Sequence, residues 1–341
     1  MRRTTARPHS APRHRTARWS ASLAAGALLL AGCGEPGTQQ DAAPAEGAYP
    51  VTVENCGAEV TFDAAPERMV LLKSASVPYL AALDVLDQVV ARAGQYPSEY
   101  YDEETLAALE EVPSLTERTD TSGHLQISRE VVIGQEPDLV LGQVDNLERS
   151  TLAAVDIPLL EEPALCPEWD QEPGWDDIYA QMRLYGEVFD EVDRAEEAAS
   201  ALEAEVEQVR ADAAGGPALT AAVLYPTVGG GVTYAYGTHS MAHPQLEAAG
   251  LENVFGDVDQ RVFEIGVEEL LGRDPDVLVL LHSDGDPAVV ERAVTSLPGA
   301  GELTAVREGR LVTQLFNFTE PASPLAVEGL RRLVAAVGES G

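Results

Sequence analysis

The side chains able to hold a ligand are few, and they gather where short apolar runs end. Lys73 is the only lysine among 341 residues, and it directly follows the run 68–72. A lone cation there suits an anionic group on a ligand; a snorkelling surface lysine is the alternative. Tyr96 and Tyr100 follow the run 89–93, with Tyr101 beside them, and Trp169 follows the run 157–160. Gln143, Asp145 and Asn146 follow the run 138–141. Further along, Tyr225 and Tyr236 precede Thr238-His239-Ser240-Met241-Ala242-His243, His282 follows 276–281, and Phe316 and Phe318 follow 310–315. In open α/β sheets, ligands sit beyond the carboxyl ends of the strands. Rings with a few polar groups in that position suit a large, partly planar molecule. Any one ring, taken singly, is equally well explained by core packing.

The same residues argue against catalysis. There is no Gly-x-Ser-x-Gly elbow, no His-Glu-x-x-His pair and no phosphate-binding loop, and Gly229-Gly230-Gly231 is not followed by Lys-Ser or Lys-Thr. A hydrolase, or a purely structural surface protein, remains the reading from another class. Histidine can ligate haem iron or a soft metal. His239 and His243, however, flank a helix start before Pro244, where polar residues serve as caps, so no metal is assigned to the protein itself. The formal charge of −35 argues against nucleic acid and anionic headgroups as partners, since both require basic surface.

The N-terminus carries chemistry of another kind. Residues 1–18 contain six arginines and no acid; residues 21–31 are apolar and end in Leu30-Ala31-Gly32-Cys33. A basic flank, a short apolar core and small residues at the cleavage point define a secretory signal over 1–32. The core is too short to span a bilayer, which needs about 20 apolar residues. Leu-Ala-Gly-Cys resembles the bacterial lipobox, which implies that Cys33 is acylated and becomes the new N-terminus. Removing 1–32 deepens the formal charge to about −41. Residues 33–48 read as a flexible tether. In an oxidising compartment the remaining Cys56 and Cys166 form one disulfide or stay as two buried thiols.

The elements that must position these residues follow from periodicity. The runs 68–72, 138–141, 157–160, 219–224, 276–281 and 310–315 read as buried strands, with helical patterns between many of them, as at 77–86 and 244–251. Such alternation predicts parallel α/β units. Residues 175–212 contain no proline and one glycine, Gly186, and predict one long helix of about 57 Å or two helices broken near 190–193. The expected domains are an α/β lobe over 49–173, a helical connector over 174–213 and a second α/β lobe over 214–341. A small repeat supports this division. Ser128-Arg129-Glu130 precedes Pro137-Asp138-Leu139, and Gly266-Val267-Glu268 precedes Pro275-Asp276-Val277, with the Glu preceding the Asp by eight positions both times.

With these segments in place, the chain resembles the periplasmic-type binding proteins of ABC importers for ferric siderophores, haem and cobalamin. The resemblance covers roughly 50–340. It rests on Ala65-Pro66-Glu67-Arg68-Met69-Val70, the two Glu…Pro-Asp segments, Gly250-Leu251-Glu252-Asn253-Val254-Phe255, and Val306-Arg307-Glu308-Gly309-Arg310-Leu311-Val312. It implies two pseudo-symmetric α/β lobes joined by a long rigid helix, with the ligand cleft between them and little hinge motion. It further implies a monomeric receptor, held outside the cytoplasm by lipid on Cys33. Such a receptor passes a metal chelate to membrane permease subunits and has no cofactor of its own. One surface glutamate per lobe docks to permease arginines, and the matching positions are Glu130 and Glu268, with Glu264 and Glu269 as neighbours. A ferric siderophore is the expected ligand, with haem or cobalamin as alternatives. Low basic content around the cleft favours a hydroxamate or mixed chelate over a highly anionic catecholate.

Overall fold

The computed structural model describes residues 48–120, 124–167, 169–229 and 232–339. The expected signal segment, Cys33 and the tether up to residue 47 lie outside them. An alternating stretch opens the described chain, pairing β1 (Val51–Asn55) with β2 (Ala58–Phe62) in an antiparallel hairpin. The two-residue turn places Cys56 and Gly57 at φ 53° and 68°, the left-handed pair that matches strand twist in tight hairpins. Cys56 is bonded to Cys166 across 110 residues of chain.

Beyond the hairpin, the apolar runs form a sheet. It contains β3 (Met69–Leu71), β4 (Val89–Ala93), β5 (Ser114–Thr116), β6 (Leu139–Leu141) and β7 (Leu159–Leu160), all parallel in the order β5-β4-β3-β6-β7. Helices α1 (Val77–Ala82), α2 (Glu103–Glu111), α3 (Arg129–Ile133) and α4 (Arg149–Ala153) connect the strands. Every residue of β3, β6 and β7 is buried, as expected for strands covered on both faces.

The connector is two helices, not one continuous rod. α5 (Trp175–Phe189) ends where Asp190 adopts φ 57°, and α6 (Val192–Ala213) turns back along it. A Cβ on Gly186 would lie 2.3 Å from that of Ala195, so glycine is required for the helices to close at the turn. Arg183 reaches Glu196 at 2.6 Å, which fixes their register.

The second lobe contains β8 (Leu219–Pro226), β9 (Thr233–Tyr236), α7 (Ala242–Ala248), β10 (Leu251–Asn253), β11 (Val262–Ile265), α8 (Val267–Arg273), β12 (Val277–His282), α9 (Pro287–Thr295), α10 (Thr304–Arg307), β13 (Leu311–Leu315) and α11 (Pro324–Glu339). Its sheet runs β11-β9-β8-β12-β13, with β10 also on β8. β8, β10, β12 and β13 are parallel, whereas β9 is antiparallel to both its neighbours. The sequence did not distinguish that meander, because its two outer strands are only four residues long and no residue of β11 is fully buried.

The internal repeat has a structural purpose. Asp138 accepts from the amides of Glu67 and Arg68 at 2.8 and 2.9 Å, at the entrance of β3. Asp276 accepts from the amide and hydroxyl of Thr220 at 2.9 and 3.0 Å, at the entrance of β8. In each lobe the Pro-Asp turn thus ties the start of the lobe's central strand. The lobes share one apolar core: Leu71 and Leu141 of the first sheet belong to the same cluster as Ile178, Met182 and Val206 of the connector and Met241, Ala326 and Leu330 of the second lobe. Among the described residues no helix is long and apolar enough to cross a membrane. Replacing Cys56 and Cys166 together with serine should lower unfolding stability by up to about 4–5 kcal/mol, because the bond closes so long a loop. Denaturant melts of the oxidised, reduced and double-serine proteins provide the measurement.

Candidate ligand cleft

The carboxyl ends of both sheets face a common seam, and hydrogen bonds cross it. The amide of Asn317 donates to the Tyr100 hydroxyl at 2.9 Å, Asn317 Nδ2 donates to Ser74 Oγ at 3.2 Å, and Gln95 Nε2 donates to Asp284 at 3.1 Å. Tyr100 meets Phe318 edge-to-face at 5.0 Å, and Leu315 and Leu325 complete a small apolar cluster between the lobes.

The structure divides the expected lining into buried and partly exposed residues. Tyr100, Tyr236 and Phe318 are buried in the seam or in the second lobe, so they hold the structure together rather than wall an open site. Arg332 covers the Phe318 ring at 4.1 Å, and α11 approaches so closely that a Cβ on Gly329 would lie 1.6 Å from the Phe318 carbonyl oxygen. His282 is also buried; its Nδ1 donates to the Asp284 carbonyl at 3.0 Å. Tyr96, Trp169, Tyr225, His239 and Phe316 keep partial exposure. Tyr96 lies under Arg92 at 5.1 Å and donates to the Ala93 carbonyl; Tyr225 bonds Ser283 at 3.0 Å and meets Phe316 edge-on at 6.0 Å. Among the described residues the buried indole nitrogen of Trp169 has no hydrogen-bond partner.

Lys73 is not a free cation. Its ammonium lies 2.6 Å from Glu161 Oε2; the lysine side chain is 27% exposed and the glutamate 1%. Glu161 also accepts from the amides of Gln143 at 2.7 Å and Glu162 at 2.8 Å. The opposite lobe repeats the device. Arg261 reaches Glu320 through two nitrogens, at 2.6 and 2.7 Å; the arginine side chain is 30% exposed and Glu320 fully buried, with the Met241 amide donating to its other oxygen at 2.6 Å. Burial opposes the Arg261 charge. Glu320, with smaller contributions from Tyr236 and from Glu161 on the opposite lobe, more than offsets this and raises its pKa. Behind Glu161, burial and the adjacent Glu161 carboxylate push Glu162 up to about 8, so it is largely neutral at pH 7. The Tyr185 hydroxyl donates to it at 3.0 Å.

Sequence reasoning missed Arg261, Glu161 and Glu320. Glu161 directly follows β7, so the strand-end rule that singled out Trp169 applies to it first. Nothing local marks Glu320 or Arg261, because each acquires its partner only through the fold.

Glu130 and Glu268 occupy equivalent positions. Each is the second residue of its helix, α3 or α8, and each is exposed. Glu130 lies 2.9 Å from Arg129, a hydrogen bond that holds its carboxyl below the usual range. A separate concavity of about 670 Å³, lined by His243, Glu247, Asn253 and Asp257, lies beside β10 at the amino end of β8, away from the seam.

Two α/β lobes on a helical connector, meeting where their strands end around paired charges, define a solute-binding protein rather than an enzyme. The profile described as periplasmic binding protein matches residues 69–314, and the chain belongs to that family. A crystal structure described as an ABC-type Fe3+-hydroxamate transport system from Saccharomonospora viridis is 55% identical, covering 85% of this chain and 99% of that one, with a TM-score of 0.82. An uncharacterized ABC transporter substrate-binding lipoprotein of Bacillus subtilis is 22% identical, covering 94% of this chain and 96% of its own length. A cobalamin-binding protein of Halobacterium salinarum is 26% identical, covering 89% and 78%.

Proposed function

We propose that this chain is the extracytoplasmic receptor of an ABC importer, anchored by lipid on Cys33, and that it captures a ferric siderophore between its lobes and delivers it to the permease. The observation that carries the ligand reading is the 55% identity, over 85% of the chain, to a protein described as belonging to Fe3+-hydroxamate transport. The cleft is compatible with that cargo. It offers Lys73, Arg261, Trp169, Tyr225 and Phe316 as polar and aromatic contacts, and a chelate that already wraps its iron needs no ligand from the protein. The shared core and the hydrogen bonds across the seam support capture with little hinge motion. Cobalamin is the second reading, favoured by the Halobacterium relative. Thermal melts with a ferric hydroxamate, haem and cobalamin separate the two. The reading expects the melting temperature to rise with the hydroxamate alone; a rise with cobalamin alone would replace it. For the anchor, Cys33→Ser should move the protein from the membrane fraction to the medium, followed by immunoblot. A variant that stays membrane-bound overturns lipid attachment at Cys33.

A further inference from the structure

We infer that the cleft selects its cargo by net charge: Glu161 and Glu320 cancel Lys73 and Arg261, so the site favours a chelate whose own charges cancel over one that is strongly anionic. This deepens the siderophore reading and rests on it. Both pairs are built alike. A carboxylate with at most 1% exposure is fixed by backbone amides, and the cation it holds is left partly exposed toward the seam. Lys73 is further confined by Gly142, where a Cβ would approach its Cγ to 2.9 Å. Neither glutamate can swing aside without leaving its amide donors unsatisfied, so the negative charge stays with the positive when a ligand arrives.

A site built for a polyanion needs cations without such counter-charges. Among the described residues Arg92 and Arg149 carry no carboxylate in contact, but each is already engaged within the protein rather than left free for a ligand. Arg92 lies over Tyr96 and donates to the Leu109 carbonyl; Arg149 donates to the Leu159 carbonyl and to Asn55, on the edge strand β7 and the neighbouring hairpin. Glu162, being largely neutral at pH 7, leaves the balance at Glu161 undisturbed. What the two pairs retain is donor capacity. The ammonium has three N–H groups and the guanidinium five, more than one carboxylate uses, and the remainder can bond carbonyl or hydroxamate oxygens of a neutral ligand. Iron(III) bound by three hydroxamates is neutral, whereas iron(III) bound by three catecholates is triply anionic.

The test measures dissociation constants by tryptophan fluorescence quenching, with a neutral ferric trihydroxamate and a ferric tris-catecholate. The proteins are wild type, Glu161→Gln, Glu320→Gln and Lys73→Gln, each first checked for folding by circular dichroism. Wild type should prefer the neutral chelate. Either Glu→Gln change should move the ratio of constants at least about tenfold toward the tris-catecholate, which is what one unit charge some 8 Å from a triply anionic ligand produces even at the dielectric of water. Lys73→Gln should move it the other way; it also carries the test if both glutamate variants fail to fold. Wild type binding the anionic chelate as tightly, or folded variants with an unchanged ratio, overturns charge selection and leaves the siderophore reading standing. Wild type binding neither ferric chelate, while binding haem or cobalamin, overturns both.

Discussion

Replacing Glu130 and Glu268 together with arginine should reduce ligand uptake by cells to background while the dissociation constant of the purified protein stays within about twofold of wild type. The expectation rests on equivalence. The two acids are the second residues of α3 and α8, and both are exposed. Each precedes by eight positions the aspartate that ties its lobe's central strand. Glu130 engages Arg129, but an exposed ion pair is readily given up, and an incoming arginine offers a planar fork that a neighbouring side chain need not match. Two carboxylates on lobes that share a core would form a fixed two-point dock. Reversing both places cation against cation at each point, and such like-charge contacts reject a partner more strongly than the loss of a contact does. Glu269 provides the control. It is tied to Arg273 at 3.2 Å, so Glu269→Arg should leave uptake nearly intact if Glu268 is the docking residue. Uptake that survives the double reversal rules out this dock, and a fall in ligand affinity would place the two acids in the cleft instead.

The architecture was legible wherever burial imposes a pattern on contiguous residues. Strands β3, β6 and β12 are covered on both faces, so Val70, Val140 and Val279 sit in unbroken apolar runs that need no partner to be recognised. The Pro-Asp repeat was visible for a similar reason, since its spacing is set within one helix-turn-strand unit. The cleft was less legible. A residue after a strand faces the ligand or the seam depending on a rotation of one position, and the strand-end rule does not distinguish them: Phe316 keeps some exposure while Phe318, two residues on, is buried against Tyr100. The charge pairs join residues 88 and 59 positions apart, Lys73 to Glu161 and Arg261 to Glu320, and no local signal announces that an acid will be buried. The connector lies between these cases. Its helical character was plain, but whether it ran straight or folded back depended on Gly186 meeting Ala195, a contact made only once α6 has turned.

Glu162 should give the protein a pH-dependent stability that Glu162→Gln removes. The carboxyl is fully buried; desolvation first, and then the charge of Glu161, push it up to about 8, against an ordinary value of 4.5. The Tyr185 hydroxyl and Lys73 act in the opposite direction but do not restore it. Between these two values the folded protein keeps a proton that the unfolded chain releases, so stability falls as pH rises through the window from about 4.5 to about 8 and then levels off. At about 1.4 kcal/mol per unit, the loss attributable to this one group approaches roughly 4–5 kcal/mol as an upper bound. The glutamine variant has no proton to release at this position. At pH 5 it should be the less stable protein, because its amide places two N–H groups where Glu162 Oε2 has no partner among the described residues and the protonated carboxyl places at most one, at a cost of about 1–3 kcal/mol. Its disadvantage should shrink steadily and reverse before pH 8, whatever the other acids contribute, since they titrate in both proteins. Urea melts of the pair at half-unit pH steps measure the difference; two parallel stability profiles would mean that Glu162 ionises near its ordinary value. The crossing also bears on the cleft. Once Glu162 is charged it competes with Glu161 for Lys73, and the surroundings of the lysine gain one negative charge, so affinity for any chelate that relies on the lysine should weaken over the same pH range.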